Sequence, residues 1–334
     1  MATTENRKPA PFVPGPDRPP ELPTEDVHRL VEESVAKLSA PRIANAGRNA
    51  FELLRKAWRL HPVDSNMSLF CAITAEEEAA TAVIRALQHR EYPLVDQLRV
   101  SNHAHKAALW PLIQALQDMA IDKNMAMPNM QLRTEGEPRV DFRVNVGDRG
   151  ALDEPMWATP DEPFNFVLNT DYNGPFAVHN FAREFRAIAK AGRKGSIFEH
   201  IKAEGNLRNR ILYASDEGIP GVEFADDAIL TRRRRVTALI VVTIAIMQTS
   251  QHQHFLVQCL DVLVRIVAKY GGKPTQLPTI EPHRRRMVVA DQPDGTRRVS
   301  LEYGFNRLGF SQSGAPDGHG GWRWSGPTLD DEAK

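Results

Sequence analysis

One helix constrains this chain more than any other feature. The segment NMSLFCAITAEEEAATAVIRALQH, about Asn66–His89, places Phe70, Ile73, Ala80, Ile84 and Leu87 at helical spacing. Glu77 falls on that apolar face, four residues after Ile73 and seven before Ile84. Its neighbours Glu76 and Glu78 fall elsewhere on the helix. A carboxylate on a core-facing stripe is costly to bury unless a cation or a hydrogen-bond donor meets it. The next segment, with Arg99, His103, His105 and Lys106, supplies the candidates. The fold must therefore bring a second helical element against the Glu77 face.

The surrounding patterns are also helical. Thr24-Glu25-Asp26 opens a helix with Val27, Leu30, Val31, Val35 and Leu38 on one face. Pro41 restarts the pattern, and Ile43, Ala46, Ala50, Phe51, Leu54, Ala57 and Trp58 follow until His61-Pro62 ends it. Asp64 or Ser65 caps the Glu77 helix. A fourth helical region runs from Pro93 to about Asp122, with Pro111 as a point of kinking or division. Short connections between four helices predict an antiparallel bundle.

After Lys123 the period changes. Residues 140–146, VDFRVNV, alternate as a strand does, Phe164–Leu168 is a second strand candidate, and 147–163 between them reads as loop. Helical pattern returns at 176–191, 197–203, 226–249 and 252–270, and Gly271-Gly272 stops it. Arg286–Ala290 and Arg298–Tyr303 flank a turn-rich DQPDGT and predict a hairpin. The expected organisation is a Pro-rich disordered tail over 1–23, the first part of a bundle over 24–125, a mixed loop and strand insert over 126–190, the second part of the bundle over 191–272, a β-hairpin over 273–310 and a flexible tail over 311–334. The fold class is mainly α with a minor β component.

Composition removes several function classes. Lys plus Arg and Asp plus Glu number 42 each among 334 residues, so no global field favours nucleic acid or membrane. The longest apolar run, Val236–Met247, has 12 residues, too few to span a bilayer as a helix. The N-terminus lacks the apolar stretch of a secretory signal, and Cys71 and Cys259 sit in apolar helical patterns as buried thiols. A cytoplasmic, non-membrane protein is expected. No Gly-rich phosphate loop, zinc-spaced Cys pair or G-x-S-x-G element is present, which argues against NTPase, zinc-ribbon and serine-hydrolase classes. No metal or cofactor is expected: only one carboxylate cluster is visible, and His252 and His254 lie two apart, on different faces of a helix.

Two blocks carry a family resemblance. The first joins Ala46–Ala57, of the form A-x-x-x-A-F-x-L-L-x-x-A, to the helix ending in paired glutamates and to His103-Ala-His-Lys106, an H-x-x-K element. The second is Arg208-Asn-Arg210-Ile-Leu-Tyr213-Ala-Ser-Asp216, a basic-x-x-Leu-Tyr-x-x-Asp element. Together they resemble the abortive-infection AbiV-type proteins of the HEPN-like helical superfamily. Thr81 stands where that family has a lysine, and the insert and hairpin regions have no counterpart in it.

The resemblance implies a HEPN-like bundle, a role in defence against phage through RNA or the translation machinery, and pairing into a homodimer, for which Val236–Val267 offers apolar surface. It also implies metal-independent ribonuclease activity through an R-x4-6-H motif. Arg99 to His105 has that spacing; Arg99 to His103 is shorter, and Val100 replaces the usual polar residue after the arginine. Such a reaction needs a base for the 2′-hydroxyl proton and a cation for the phosphorane. The candidates are Arg99, His103 and His105, with Glu77 orienting them. Lys106, Arg208, Arg210, Tyr213 and Asp216 are candidate binding residues, and Arg210 and Tyr213 are expected to reach the Glu77 helix. On a continuous helix Arg99, His103 and Lys106 share a stripe with Trp110, and His105 points elsewhere. Arg232–Arg235 and His283–Arg286 are the basic clusters able to contact phosphate. The alternative is a non-catalytic helical module that binds or senses a phage or host protein, its polar residues holding the core.

Overall fold

The structure is a computed structural model that describes residues 19–122, 129–148, 155–160, 163–164, 179–213, 226–250 and 252–267, and the strands between 283 and 329. It is mainly helical. Helix α1 (Asp26–Ala36), α2 (Pro41–Leu60), α3 (Ser65–His89), the short α4 (His103–Ala107), α5 (Leu109–Asp122), α6 (Ala182–Ala191), α7 (Ile197–Leu212), α8 (Asp226–Met247) and α9 (His254–Val267) carry the core. None of the described helices is long and apolar enough to cross a membrane.

Local chemistry sets the boundaries. Pro41 occupies the first turn of α2, where its missing N–H costs nothing. Asp64 caps α3, its carboxylate accepting the Met67 N–H at 2.9 Å. Helix α3 lies at the centre, with Ala72, Ala75, Ala79 and Ala82 fully buried. Small side chains on several faces let neighbouring helices approach it closely. Gly47 of α2 lies where a Cβ would meet a Val35 methyl at 2.5 Å, so α1 and α2 depend on its lack of a side chain. The apolar run of α8 packs inward, with Ile240, Ile244, Ala245 and Ile246 fully buried.

Several sequence expectations change, among them the helical pattern over 197–203, which is the start of the longer α7. Helix α1 does not bury Val27 and Leu30, which are exposed; it turns His28, Val31, Ser34 and Val35 inward. His28 Nδ1 lies 2.7 Å from the Thr237 hydroxyl, and that hydroxyl donates to the Arg233 carbonyl, so His28 acts as the donor. A polar side chain with a partner in the core thus replaces a valine in setting the helix phase. The region from Pro93 to Asp122 is not one helix. A 3-10 turn at Val95–Gln97 and an extended stretch precede α4, and Pro111 falls in the first turn of α5. Residues 155–160, expected as loop, form a strand, while Phe164 lies in a turn and 165–168 of the second strand candidate fall outside the described residues.

The antiparallel pair β1 (Asn129–Arg133) and β2 (Arg139–Asp148) is tied to the bundle. The Gln248 amide, just past α8, accepts the Val140 N–H at 2.8 Å and donates to the Val140 carbonyl at 3.2 Å. A side-chain amide thereby replaces a strand neighbour. Strand β3 (Pro155–Pro160) pairs with β2. Farther along, β4 (His283–Asp291), β5 (Arg297–Phe305) and β6 (Leu308–Pro316) pair antiparallel in sequence order. The last of these extends into residues read from composition as a tail.

Candidate functional site

Glu77 is buried, with 7% of its surface exposed, and a lysine, an arginine and a histidine converge on it. His103 Nδ1 lies 2.7 Å from Oε1, Lys106 Nζ donates to Oε2 at 2.9 Å and Arg208 Nη1 donates to the same oxygen at 3.3 Å. A carboxylate accepts only, so His103 presents an N–H on Nδ1 and keeps Nε2 as its second ring nitrogen. Lys106 is as buried as Glu77, whereas about a third of the His103 side chain is exposed.

The local fold explains how α4 delivers two of these groups. The Asn102 side chain accepts the Ala104 N–H at 2.9 Å and so starts a new helix at His103. From that start, His103 and Lys106 lie one turn apart on the face toward α3. Helix α7 brings the third group. Gly205 lies against α4, where a Cβ would come within 3.2 Å of the Ala104 nitrogen and the His103 carbonyl carbon. Its bare backbone lets α7 approach, and Arg208, one turn on, reaches Glu77. The Arg208 guanidinium also lies 5.0 Å from the centre of the Phe70 ring.

Two residues expected at this site lie apart from it, and a third lies outside the described residues. Arg210 and Tyr213 are exposed, Tyr213 at 68%. Ile201, Gly205 and Ile211 set the buried face of α7, and Arg210 is about 200° around the helix from Arg208. Asp216 is the residue outside. Arg99 is not on a helix with His103, and it is exposed. His105 accepts the Arg99 backbone N–H through Nδ1 at 3.0 Å, so it closes the turn before α4, and burial lowers its pKa. Arg99 and His103 nevertheless line one cleft of about 430 Å3, together with Ser101, Asn102, Lys202 and Asn206.

A second cluster, absent from the sequence reading, lies one residue away. Glu76 accepts from Arg232 at 2.6 Å and from Arg235 at 3.4 Å, and the Arg235 guanidinium lies 4.8 Å from the Trp110 ring centre. Arg232 and Arg235 are one turn apart on α8, which is the signal that could have marked a shared carboxylate. Arg233 is buried and pairs with Glu25 at 3.1 Å. The run read as a candidate phosphate contact is therefore largely occupied by carboxylates. Glu78 is the solvent-side member of the triplet, contacted by Asn49. Glu76 and Glu77 both line a cavity of about 220 Å3 among α3, α4, α5, α6, α7 and α8.

Cys71 and Cys259 are free and buried, and burial pushes both thiols up. His252 precedes α9 and reaches the Arg90 carbonyl at 2.8 Å, and burial lowers the His254 pKa. No group of His, Cys, Asp or Glu among the described residues is arranged to hold a metal ion. The side chains of His283–Arg286 are not described. No family model, curated protein or solved structure matches this chain.

Proposed function

We propose that the chain is an RNA-directed effector of the abortive-infection type, built on a HEPN-like bundle with a β-containing insert over 126–190 and a C-terminal hairpin over 273–310. One observation carries this reading: the His103–Glu77 hydrogen bond of 2.7 Å on a histidine that lines the same cleft as Arg99. A carboxylate on Nδ1 fixes the ring orientation and tautomer, leaving Nε2 to act as a base. In the proposed reaction Nε2 takes the 2′-hydroxyl proton and the 2′-oxygen attacks the adjacent phosphorus. A 2′,3′-cyclic phosphate forms, the 5′-oxygen leaves as a hydroxyl with a proton from water, and the hydroxide so formed takes the proton back from His103. Arg99 supplies the positive charge for the phosphorane. No metal or cofactor is required. The effector works in the cytoplasm as a homodimer.

The test is incubation of the purified protein with total RNA and with tRNA. His103→Ala is expected to abolish cleavage, and His105→Ala to retain it. RNA left intact by the wild-type protein, or cleaved equally by His103→Ala, would overturn the reading.

A second reading has its own support. Glu77 is met by two cations and a histidine, and Lys106 is buried with it, the arrangement of a closed ionic core. The protein is then a non-catalytic module that binds a phage or host protein through its insert. In that case His103→Ala lowers stability and changes no RNA.

A further inference from the structure

The His103 cleft does not end at α4. Lys202 of α7 lines it and also lines a larger groove, of about 1240 Å3, running between α6, α7 and α9. The groove carries Arg186 and Lys190 of α6, Arg193 and Lys194 of the α6–α7 turn, and Lys202, all exposed. Glu199 is the acidic residue of its lining and accepts the Gly195 N–H at 3.0 Å. Arg265, also in the lining, is paired with Asp261. Lys190, Arg193, Lys194 and Lys202 enter no ion pair among the described residues. In a chain with zero net charge, this concentration is local.

The floor is apolar, with the buried Phe185 and the half-buried Phe198 both in the lining. Cations along a rim and an aromatic surface within the groove are the two elements that hold a single-stranded polynucleotide: phosphates meet the cations, and bases lie on the ring. An acidic peptide would use the rim but has no need of continuity with the His103 cleft.

We infer that the α6–α7 groove is a binding track for single-stranded RNA that leads, through Lys202, to the His103 cleft. The inference rests on RNA being the ligand class, as proposed above, but not on its cleavage. Electrostatic capture outside the cleft raises the local concentration of RNA and sets which strands reach His103.

The experiment is fluorescence anisotropy with a 20-nucleotide fluorescein-labelled oligouridylate over a range of KCl concentrations. It uses the full chain and the variants Lys190→Glu/Lys194→Glu, Lys190→Gln/Lys194→Gln and His103→Ala. Both double variants retain the fold, since their side chains are exposed, and circular dichroism checks this. The reversal variant is expected to bind about tenfold more weakly, and the salt slope of either double variant to fall by roughly 1.4, two phosphate contacts at about 0.7 each. His103→Ala is expected to lose cleavage, which separates loss of the base from loss of the track. Track-dependent binding without cleavage by the wild type would sustain the track and sink the nuclease reading. Cleavage and binding unaltered by charge reversal would overturn the track and leave that reading standing. Capture of polyglutamate, but not of oligouridylate, through the same lysines would overturn it in favour of an acidic protein partner.

Discussion

Glu76 and Glu77 are adjacent on one helix and each is neutralised by cations, yet their surroundings differ. Glu76 faces α8 and meets two arginines, which are permanently charged. Glu77 faces α4 and α7 and meets a lysine, an arginine and a histidine whose ring borders a cleft. The 100° step between successive residues sends neighbouring carboxylates into different interfaces. The contrast teaches that adjacent carboxylates on one helix can be held in different interfaces, one by arginines alone and the other by a set that includes a histidine bordering a cleft.

The largest effect expected from breaking this comparison is at Glu77. Glu77→Ala leaves buried Lys106 without its carboxylate and should cost about 3 kcal/mol in denaturant unfolding, the range for breaking a buried pair. A loss under about 1 kcal/mol would mean that Lys106 reaches water. Glu76→Ala should cost less, about 1–2 kcal/mol, because Arg232 and Arg235 keep 14% and 25% of their side-chain surface in solvent and can hydrate. Equal losses at the two positions would erase the distinction.

Gly205→Ala tests how the Glu77 interface is assembled. Alanine favours a helix by about 1 kcal/mol over glycine. Here the new methyl meets α4 backbone at 3.2 Å, so the net change should be destabilising, by about 1 kcal/mol. A gain in stability would show that α4 yields.

The smallest effect concerns the third contact of the arginine run, where Arg233 stands beside His28. Burial first, and Arg233 second, hold the His28 pKa below its usual range. A histidine depressed in the folded state contributes stability that is present above its unfolded pKa and lost as pH falls through the folded value. Stability should therefore decline as pH falls from about 6.5, with His105 and His254 adding in the same direction. His28→Gln should flatten part of that decline in a pH series of unfolding curves.

Much of the Glu77 site was legible because it rests on helical periodicity. Ile73 and Ile84 assign Glu77 to the buried face, and the spacing of His103 and Lys106 pairs them on one side of a helix. Asp64 as the cap of α3 was legible for the same reason: caps are local chemistry. Arg99 falls off the His103 stripe because Asn102 starts α4 afresh, a break that a continuous helical spacing conceals. Arg208 rather than Arg210 meets Glu77 because the phase of α7 is set by Ile201, Gly205 and Ile211 against other helices, which the segment's own spacing does not show.

The sequence by itself determined the mainly helical class, the bounds of the first three helices and the burial of one glutamate, since these follow from side-chain spacing and backbone hydrogen bonding along the chain. Only the tertiary structure decided which cations meet which carboxylate. That choice joins residues as far apart as Glu77 and Arg208, and Glu76 and Arg235. It depends on how closely two backbones approach, as Gly205 permits against α4. No periodicity within one segment encodes a distance between two.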